Sequence, residues 1–130
     1  MLPYERLSDV FDRALSEGIE SLSNDERELY LIQDFIIELE MGGLSGYFYN
    51  RLALTNHIAA AIVAMDKYGL SDLAELLSEA LQVFGSYAEP GIAKTWSEIL
   101  KQYDPGNRLA IIEKQMDSIE DYGIENSLIE

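Results

Sequence analysis

The sequence predicts an all-α fold, a single compact domain of about six helices over residues 1–130. Apolar residues recur at the spacing of an α-helix along almost the whole chain. The alternating β-branched runs and Asn-Gly dipeptides that indicate strands and hairpins are missing from the sequence. With 130 residues and a hydrophobic fraction of 48%, the chain can bury a core without disulfides or a structural metal.

Two helices are predicted in the N-terminal third of the chain. The first ends at Gly18, and the second begins at the capping-box pattern formed by Ser23 and Glu26. The second ends at the pair Gly42 and Gly43, because a left-handed C-cap favours glycine. Each helix presents one apolar face to the core. These faces consist of Leu7, Val10, Phe11, Ala14 and Leu15, and of Leu29, Ile32, Ile36 and Leu39.

The stretch GGLSGYFYN, residues 42–50, predicts a structural corner between the second and third helices. Its glycines allow a sharp turn and a close approach to a neighbouring element. Tyr47, Phe48 and Tyr49 are expected to point in different directions, some into the core, with the tyrosine hydroxyls reaching polar partners. The side-chain amide of Asn50 is expected to satisfy the turn.

Four further helices are predicted in the rest of the chain. The third, over residues 57–68, is apolar on nearly all sides and is expected to be the central buried helix. Thr55 or Asn56 can cap it, and Ser71 can cap the fourth helix over 72–84. The fifth and sixth helices present apolar faces that contain Trp96, Ile99 and Leu100, and Leu109, Ile112, Met116 and Ile119. The breaks fall at Gly69, at Gly85, in a loop with Pro90 and Gly91, and at the turn Asp104-Pro105-Gly106.

Acidic residues dominate the chain. It contains 24 aspartates and glutamates against nine lysines and arginines, a net charge of −15. Residues 1–40 carry a net charge of −8 and residues 111–130 carry −5, whereas residues 41–110 carry only −2. Direct nucleic-acid binding and membrane adhesion are disfavoured, because both depend on lysine and arginine meeting phosphates. The aromatic corner could stack bases, but Arg51 is the one adjacent base, which favours burial instead.

Motifs for catalysis, metals or cofactors are missing from the sequence. No calcium-loop, zinc-protease or phosphate-binding motif occurs, and there is no cysteine. The single histidine, His57, lies in the first turn of its helix, where a neutral, hydrogen-bonded structural role is favoured. Carboxylates paired at helical spacing are typical of a solvated helix face. Such pairs are Asp25/Glu28, Asp34/Glu38 and Glu75/Glu79. The chain is therefore predicted to be non-enzymatic, without catalytic, metal-binding or cofactor-binding residues.

Neither export nor membrane insertion is indicated by the sequence. The first ten residues contain acids and no apolar run, unlike a secretory signal. The longest apolar block, at 58–65, is far shorter than the roughly 20 residues that span a bilayer. The lack of cysteine fits a reducing compartment, so a cytoplasmic location is expected.

Several of these features occur together and in a fixed order: an acid-rich helix, Gly42-Gly43, the string Tyr-Phe-Tyr-Asn at 47–50, and the segment AAAIVAMDKYGLSDLAELLSEALQVF. In this combination the sequence resembles an all-α domain family whose best-known member is a bacterial acidic DNA-mimic protein. Most members of that family have no assigned function. The resemblance covers about residues 30–85, and the matching positions are Gly42, Gly43, Tyr47, Phe48, Tyr49, Asn50, Ala64 and Gly69.

The resemblance implies that this chain binds a basic DNA-binding protein, a regulator or nucleoid protein. The carboxylates of the chain would take the place of DNA phosphates, and the DNA would be displaced. The predicted partner-binding residues are Asp25, Glu26, Glu28, Asp34, Glu38, Glu40, Glu113, Asp117, Glu120 and Asp121. A helix over 24–40 is about 25 Å long, a length over which duplex DNA carries about 15 charges. Six acids in that helix are too few, so the first helix, the C-terminal acids or a second subunit in a homodimer must contribute.

Two alternative functions fit the same charge. The chain could be an immunity or inhibitor protein that neutralises a basic toxin or nuclease. It could also be a helical domain whose acidity serves only solubility, although a net charge of about 2–8 suffices for that in a small domain.

Overall fold

Six α-helices and one short 3-10 turn form the part of the protein that the computed structural model describes, residues 3–85 and 94–119. No strand occurs in these two ranges, so the predicted all-α class is confirmed. The helices are α1 (Pro3–Glu17), α2 (Asn24–Arg51), α3 (Thr55–Lys67), α4 (Ser71–Val83), α5 (Trp96–Tyr103) and α6 (Arg108–Asp117), and the 3-10 turn covers Ile19–Ser21. The predicted loop at Pro90 and Gly91 and the acids Glu120 and Asp121 lie outside the described residues.

The connection between α1 and α2 is the one that the sequence predicts. Gly18 has a φ of 91° and donates its N–H to the Ala14 carbonyl at 3.0 Å. Ser23 Oγ accepts a hydrogen bond from the Glu26 N–H at 3.2 Å, and Glu26 Oε1 accepts one from the Ser23 N–H at 3.0 Å. The reciprocal pair satisfies N–H groups that would otherwise lack a partner at the start of α2.

The starts of α3 and α4 differ from the prediction. Their N-cap residues are Leu54 and Leu70, and neither helix has a side-chain cap. Ser71, the predicted cap of α4, instead donates its hydroxyl to Asp66 at 3.0 Å. Leu70 is 4% exposed, and the Leu54 carbonyl accepts the Ile58 N–H. Leu70 is thus buried at the start of α4, whereas Leu54, at the start of α3, is 52% exposed and contributes only its backbone carbonyl.

α2 is kinked at Gly43, whose φ of 71° and ψ of −173° are non-helical. The predicted corner is thus present, with its break at the glycine pair. The residues that follow are helical to Arg51 rather than part of a turn. The reason is their apolar spacing, because one face of this segment is fully buried. That face consists of Leu44, Tyr47, Phe48 and Leu52.

The core lies between α2, α3, α4 and α6. α2 packs against α1, α3 and α6, and α4 packs against α3 and α6. Aromatic rings pack within this core: Phe35 and Tyr47, on either side of the kink in α2, have centroids 4.8 Å apart, and Phe48 of α2 lies 5.0 Å from Phe84 at the end of α4. The apolar faces predicted for the second and sixth helices are buried at Leu29, Ile32, Ile36, Leu39, Leu109, Ile112 and Met116.

Two residues expected in the core are exposed. Leu15 in α1 is 69% exposed and Val63 in α3 is 68% exposed. The prediction that α3 is buried nearly all round is therefore wrong. Ile58, Ala61 and Met65 are fully buried, while the side of α3 that carries Val63 is open to solvent.

Candidate acidic interaction surfaces

The acids in the first turns of α2 are paired with bases from other helices. The Arg13 guanidinium of α1 donates a hydrogen bond to Glu26, and this bond together with the capping box lowers the pKa of Glu26 to about 2. Lys67, the last residue of α3, lies 3.0 Å from a carboxylate oxygen of Glu28 and 3.4 Å from one of Asp25. Three of the predicted partner-binding acids therefore have a counter-charge within the molecule.

Asp34 forms the centre of a buried ion-pair cluster. Arg51 lies with Nη2 2.7 Å from Oδ1 and Nε 2.9 Å from Oδ2, a two-point contact. Nε2 of His57 lies 3.1 Å from Oδ2. Burial opposes ionisation of Asp34, but the hydrogen bonds of Arg51 and His57 outweigh it and hold the pKa of Asp34 below its ordinary value.

The prediction that Asp34 belongs to an exposed acidic surface is therefore wrong. Only 4% of the residue is exposed, and both carboxylate oxygens are engaged. The contact with His57 is of the kind expected for a structural histidine. A buried charge of this kind is engaged within the molecule, and removing one partner of the pair is destabilising because it leaves the other charge unpaired.

A second polar contact joins the two arms of α2 across the kink. Asn50 Nδ2 donates a hydrogen bond to Glu38 Oε2 at 2.7 Å, and Arg51 Nη2 lies 3.5 Å from Glu38 Oε1. The prediction that the Asn50 amide satisfies a turn is wrong, because this residue is helical. Its contact with Glu38 instead connects residues 24–42 to residues 44–51.

Glu113 of α6 caps the helical arm that begins after the kink. One of its carboxylate oxygens accepts the N–H of Leu44. A carboxylate suits this position, because a helix start has free N–H groups and a partial positive charge. A Cβ at Gly43 would lie 2.5 Å from the same oxygen, so a larger residue would require the Glu113 carboxylate to shift.

The three aromatic residues after the kink point in different directions, as predicted. Tyr47 and Phe48 are fully buried, whereas Tyr49 is 65% exposed and lies edge-on to Trp96 with centroids 5.8 Å apart. Burial raises the pKa of Tyr47. Its hydroxyl has no hydrogen-bond partner in the described part of the chain, so the prediction of a polar partner is wrong for this residue.

An open groove between α3 and α4 forms a different acidic surface. Its volume is about 690 Å³. It is lined by Ile62, Val63 and Asp66 from α3 and by Ser71, Ala74, Glu75, Ser78, Glu79 and Gln82 from α4. The side chains of Asp66, Glu75 and Glu79 form no ion pair with any lysine, arginine or histidine in the described ranges.

Sequence reasoning found only part of this groove. Glu75 and Glu79 were recognisable as a solvated pair one helical turn apart. Asp66 and the apolar floor were not, because the apolar pattern of α3 assigned Val63 to the core. The excess of apolar residues on all sides of α3 was the one available signal that part of this helix faces outward.

Neither surface contains a metal-binding arrangement. Within residues 3–85 and 94–119, no group of three or more histidines, aspartates or glutamates is placed to hold a metal ion. Over the same residues, no helix combines the length and the apolarity that a membrane span requires. Both surfaces present carboxylate charge beside apolar side chains.

Comparison with protein families identifies the relatives of this chain. Residues 20–129 match the sequence model of the DMP19-like protein family. The chain belongs to this family. The predicted resemblance to a DNA-mimic family is thereby confirmed, and the match extends on both sides of the expected 30–85 to include the capping box and α6. Comparisons with curated proteins and with solved structures gave no match.

Of the eight described acids predicted to bind a partner, five are paired with a base within this DMP19-like chain. Glu40 and Asp117 are exposed and form no ion pair among the described residues. The bases Arg13, Lys67 and Arg51 neutralise part of the charge of Asp25, Glu26, Glu28 and Glu38. Unpaired acids of the DMP19-like chain lie largely on other helices.

Proposed function

We propose that this DMP19-like chain is a non-enzymatic acidic protein that mimics DNA charge, binds a basic DNA-binding protein and blocks its DNA binding. The observation that carries the proposal is family membership, since a DNA-mimic family fits a chain with a net charge of −15. The partner would be a regulator or nucleoid protein in the cytoplasm. Opposite charges would steer the two proteins together and hold them more weakly as salt increases.

Exposed acids without ion pairs supply the charge for this role. Within the described residues they include Asp12 and Glu17 on α1, Glu40 on α2, Asp66 on α3, Asp72 and Glu75 on α4, and Asp117 on α6. Duplex DNA carries one charge per about 1.7 Å, a higher density than one such chain supplies. A homodimer, with twice the charge of −15, would bring more acidic helices to one surface, and we include it in the proposal.

A DNA-competition experiment tests this function. Basic DNA-binding proteins that the immobilised chain captures from its host are identified, purified and loaded with fluorescently labelled duplex DNA. The chain is then added while the anisotropy of the DNA is measured at about 0.05 M and about 0.2 M salt. We expect release of the DNA at stoichiometric amounts of the chain, with a weaker effect at the higher salt concentration.

Polyglutamate of the same net charge is the control for displacement by any polyanion. Equal potency of polyglutamate and the chain would contradict the proposal, as would DNA that stays bound at both salt concentrations. If the captured protein is a nuclease or toxin whose activity the chain abolishes without competing for DNA, the immunity or inhibitor function replaces DNA mimicry.

A further inference from the structure

The α3–α4 groove brings apolar side chains and unpaired carboxylates together. Its apolar lining includes Val63, which is 68% exposed, and Ile62, which is half-buried. Ala74 and Ser78 on the opposite wall are small, so another helix could approach the floor closely. Apolar surface rimmed by polar residues is one of the features of protein-binding sites.

Charge at the rim of the groove is left without a counter-charge. Asp66, Glu75 and Glu79 lie along it, and no described base pairs with them. The nearest base in sequence, Lys67, is directed to the other side of α3, where it contacts Glu28. The groove therefore differs from the first turns of α2, whose acids are paired within the molecule.

The segments outside the described ranges carry no positive charge that would complement the groove. Residues 86–93 and 120–130, which lie outside the described ranges, contain no lysine or arginine. Together they contain five acids, Glu89, Glu120, Asp121, Glu125 and Glu130, which the carboxylates of the groove would repel. The occupant is therefore sought in another molecule.

We infer that the α3–α4 groove binds a basic amphipathic helix of the partner protein. The lining extends from Ser71 to Gln82, a length of about 16 Å, which matches about three turns of a helix. The apolar face of that helix covers Val63 and Ile62, and lysines or arginines on its flanks pair with Glu75, Glu79 and Asp66. This inference rests on the proposed function, because it names the surface through which a basic partner is held.

Peptide binding to the full-length chain tests the inference. The probe is a synthetic helical peptide of about 14 residues, with leucines along one face and lysines on both flanks. Binding is followed by chemical-shift changes in the ¹⁵N-labelled chain. We expect changes concentrated on residues of α3 and α4 that line the groove, and no comparable changes with a peptide of the same composition whose leucines are distributed around the helix.

Two matched variants separate the groove from the general negative charge. Glu75→Gln/Glu79→Gln is expected to weaken binding of the lysine–leucine peptide by about tenfold at about 0.1 M salt, because two ion pairs are lost. Glu20→Gln/Glu98→Gln removes the same charge from exposed positions outside the groove and is expected to change the affinity less than about twofold. Equal losses in the two variants, or shift changes spread over all helices, would overturn the inference.

Two further outcomes are decisive. If sedimentation shows that the chain self-associates and that Glu75→Gln/Glu79→Gln abolishes this association, the groove binds a second copy and the inference is wrong. The DNA-competition experiment distinguishes this failure from failure of the proposed function. If the groove variant still releases DNA from the partner, the inference about the groove is wrong and the proposed function is unaffected. If the peptide binds in the groove but the chain does not release DNA, only the proposed function is wrong.

Discussion

Gly43 is constrained both by its backbone conformation and by a contact with another helix. Its positive φ is unfavourable for any residue with a Cβ, and its missing side chain leaves space for the Glu113 carboxylate. Gly42, the neighbouring residue, has neither constraint, because a Cβ there would meet nothing within 4 Å. The two glycines therefore have different roles although the sequence shows them as a pair.

Replacing Gly43 by alanine is expected to lower the free energy of unfolding by about 2–4 kcal/mol, because a left-handed backbone and a clash with Glu113 add together. Urea denaturation measures the effect. Gly42→Ala is the matched control and is expected to change stability by less than about 1 kcal/mol, in the stabilising direction, since alanine favours the helix. Similar losses for both variants would refute the assigned role of Gly43.

Tyr47, unlike Gly43, is predicted to lower the stability of the fold, because its buried hydroxyl makes no favourable interaction among the described residues. The hydroxyl is unpaired among the described residues, and an unsatisfied buried polar group destabilises the folded state. Tyr47→Phe is therefore expected to raise the free energy of unfolding by about 1 kcal/mol. Tyr49→Phe, at an exposed position, serves as the control and should leave stability unchanged. Loss of stability in Tyr47→Phe would show that the hydroxyl has a partner.

Sequence reasoning at this scale succeeds where the cause is local. The capping box of Ser23 and Glu26 and the glycine break follow from backbone conformations within a few residues. The unpaired Tyr47 hydroxyl does not, because hydrogen-bond partners depend on which side chains are brought together by packing. Nor does the burial of Asp34, which depends on Arg51, 17 positions away.

The kink at Gly43 divides α2 into two helical arms, residues 24–42 and residues 44–51. The arms are joined by the contacts of Arg51 with Asp34 and of Asn50 with Glu38, and the second arm receives its N-terminal cap from α6. The helical character of the second arm was present in the spacing of its buried residues, but the concentration of glycines and aromatics suggested a turn. The cap could not be predicted, because Glu113 lies 69 residues beyond Leu44.

Removing this cap is expected to destabilise the second arm specifically. Glu113→Ala should lower the free energy of unfolding by about 1–2 kcal/mol, the range measured for helix caps. Hydrogen exchange of the Leu44 amide should become faster, because that N–H loses its acceptor. Asp117→Ala, an exposed position in the same helix, is the control, with an expected change within about 0.5 kcal/mol. Unchanged exchange at Leu44 would contradict the cap.

At the scale of the whole molecule, the acidic residues fall into two groups: those paired with bases of the same chain and those without such a partner among the described residues. Acids of α2 are balanced by bases on α1, on α3 and on the second arm of α2 itself, so part of the acidity holds helices together. The acids on α4 and at the groove have no such bases among the described residues. The total charge could be read from the sequence, but this division could not, because each ion pair joins residues far apart along the chain.

Acid should therefore unfold the protein through its internal ion pairs. The pKa values of Asp34 and Glu26 are lower in the folded state than in the unfolded state. Their contribution to stability is complete above the ordinary carboxyl pKa of about 4 and is lost as the pH falls below it, toward about 2 for Glu26. The free energy of unfolding measured between about pH 6 and pH 2 should decrease steadily below about pH 4.

Asp34→Asn tests the share of the buried cluster in this pH dependence. The variant is expected to lose about 2–4 kcal/mol at neutral pH, since Arg51 keeps its charge without its carboxylate partner. Its stability should also fall less steeply with acid than that of the original chain. Glu40→Gln, an exposed carboxylate without an ion pair, is expected to retain both the stability and the pH dependence of the original chain. An unchanged slope in Asp34→Asn would contradict the role of the cluster.

The cap that α6 provides also affects how the chain is made. A nascent chain leaves the ribosome from its N-terminus, so Leu44 emerges well before Glu113. Until α6 has been synthesised, the second arm of α2 lacks its N-terminal cap, and the core lacks one of the helices that cover it. The last steps of folding must therefore wait until α6 has been synthesised, and until then Tyr47 and Phe48 lack part of the packing that buries them.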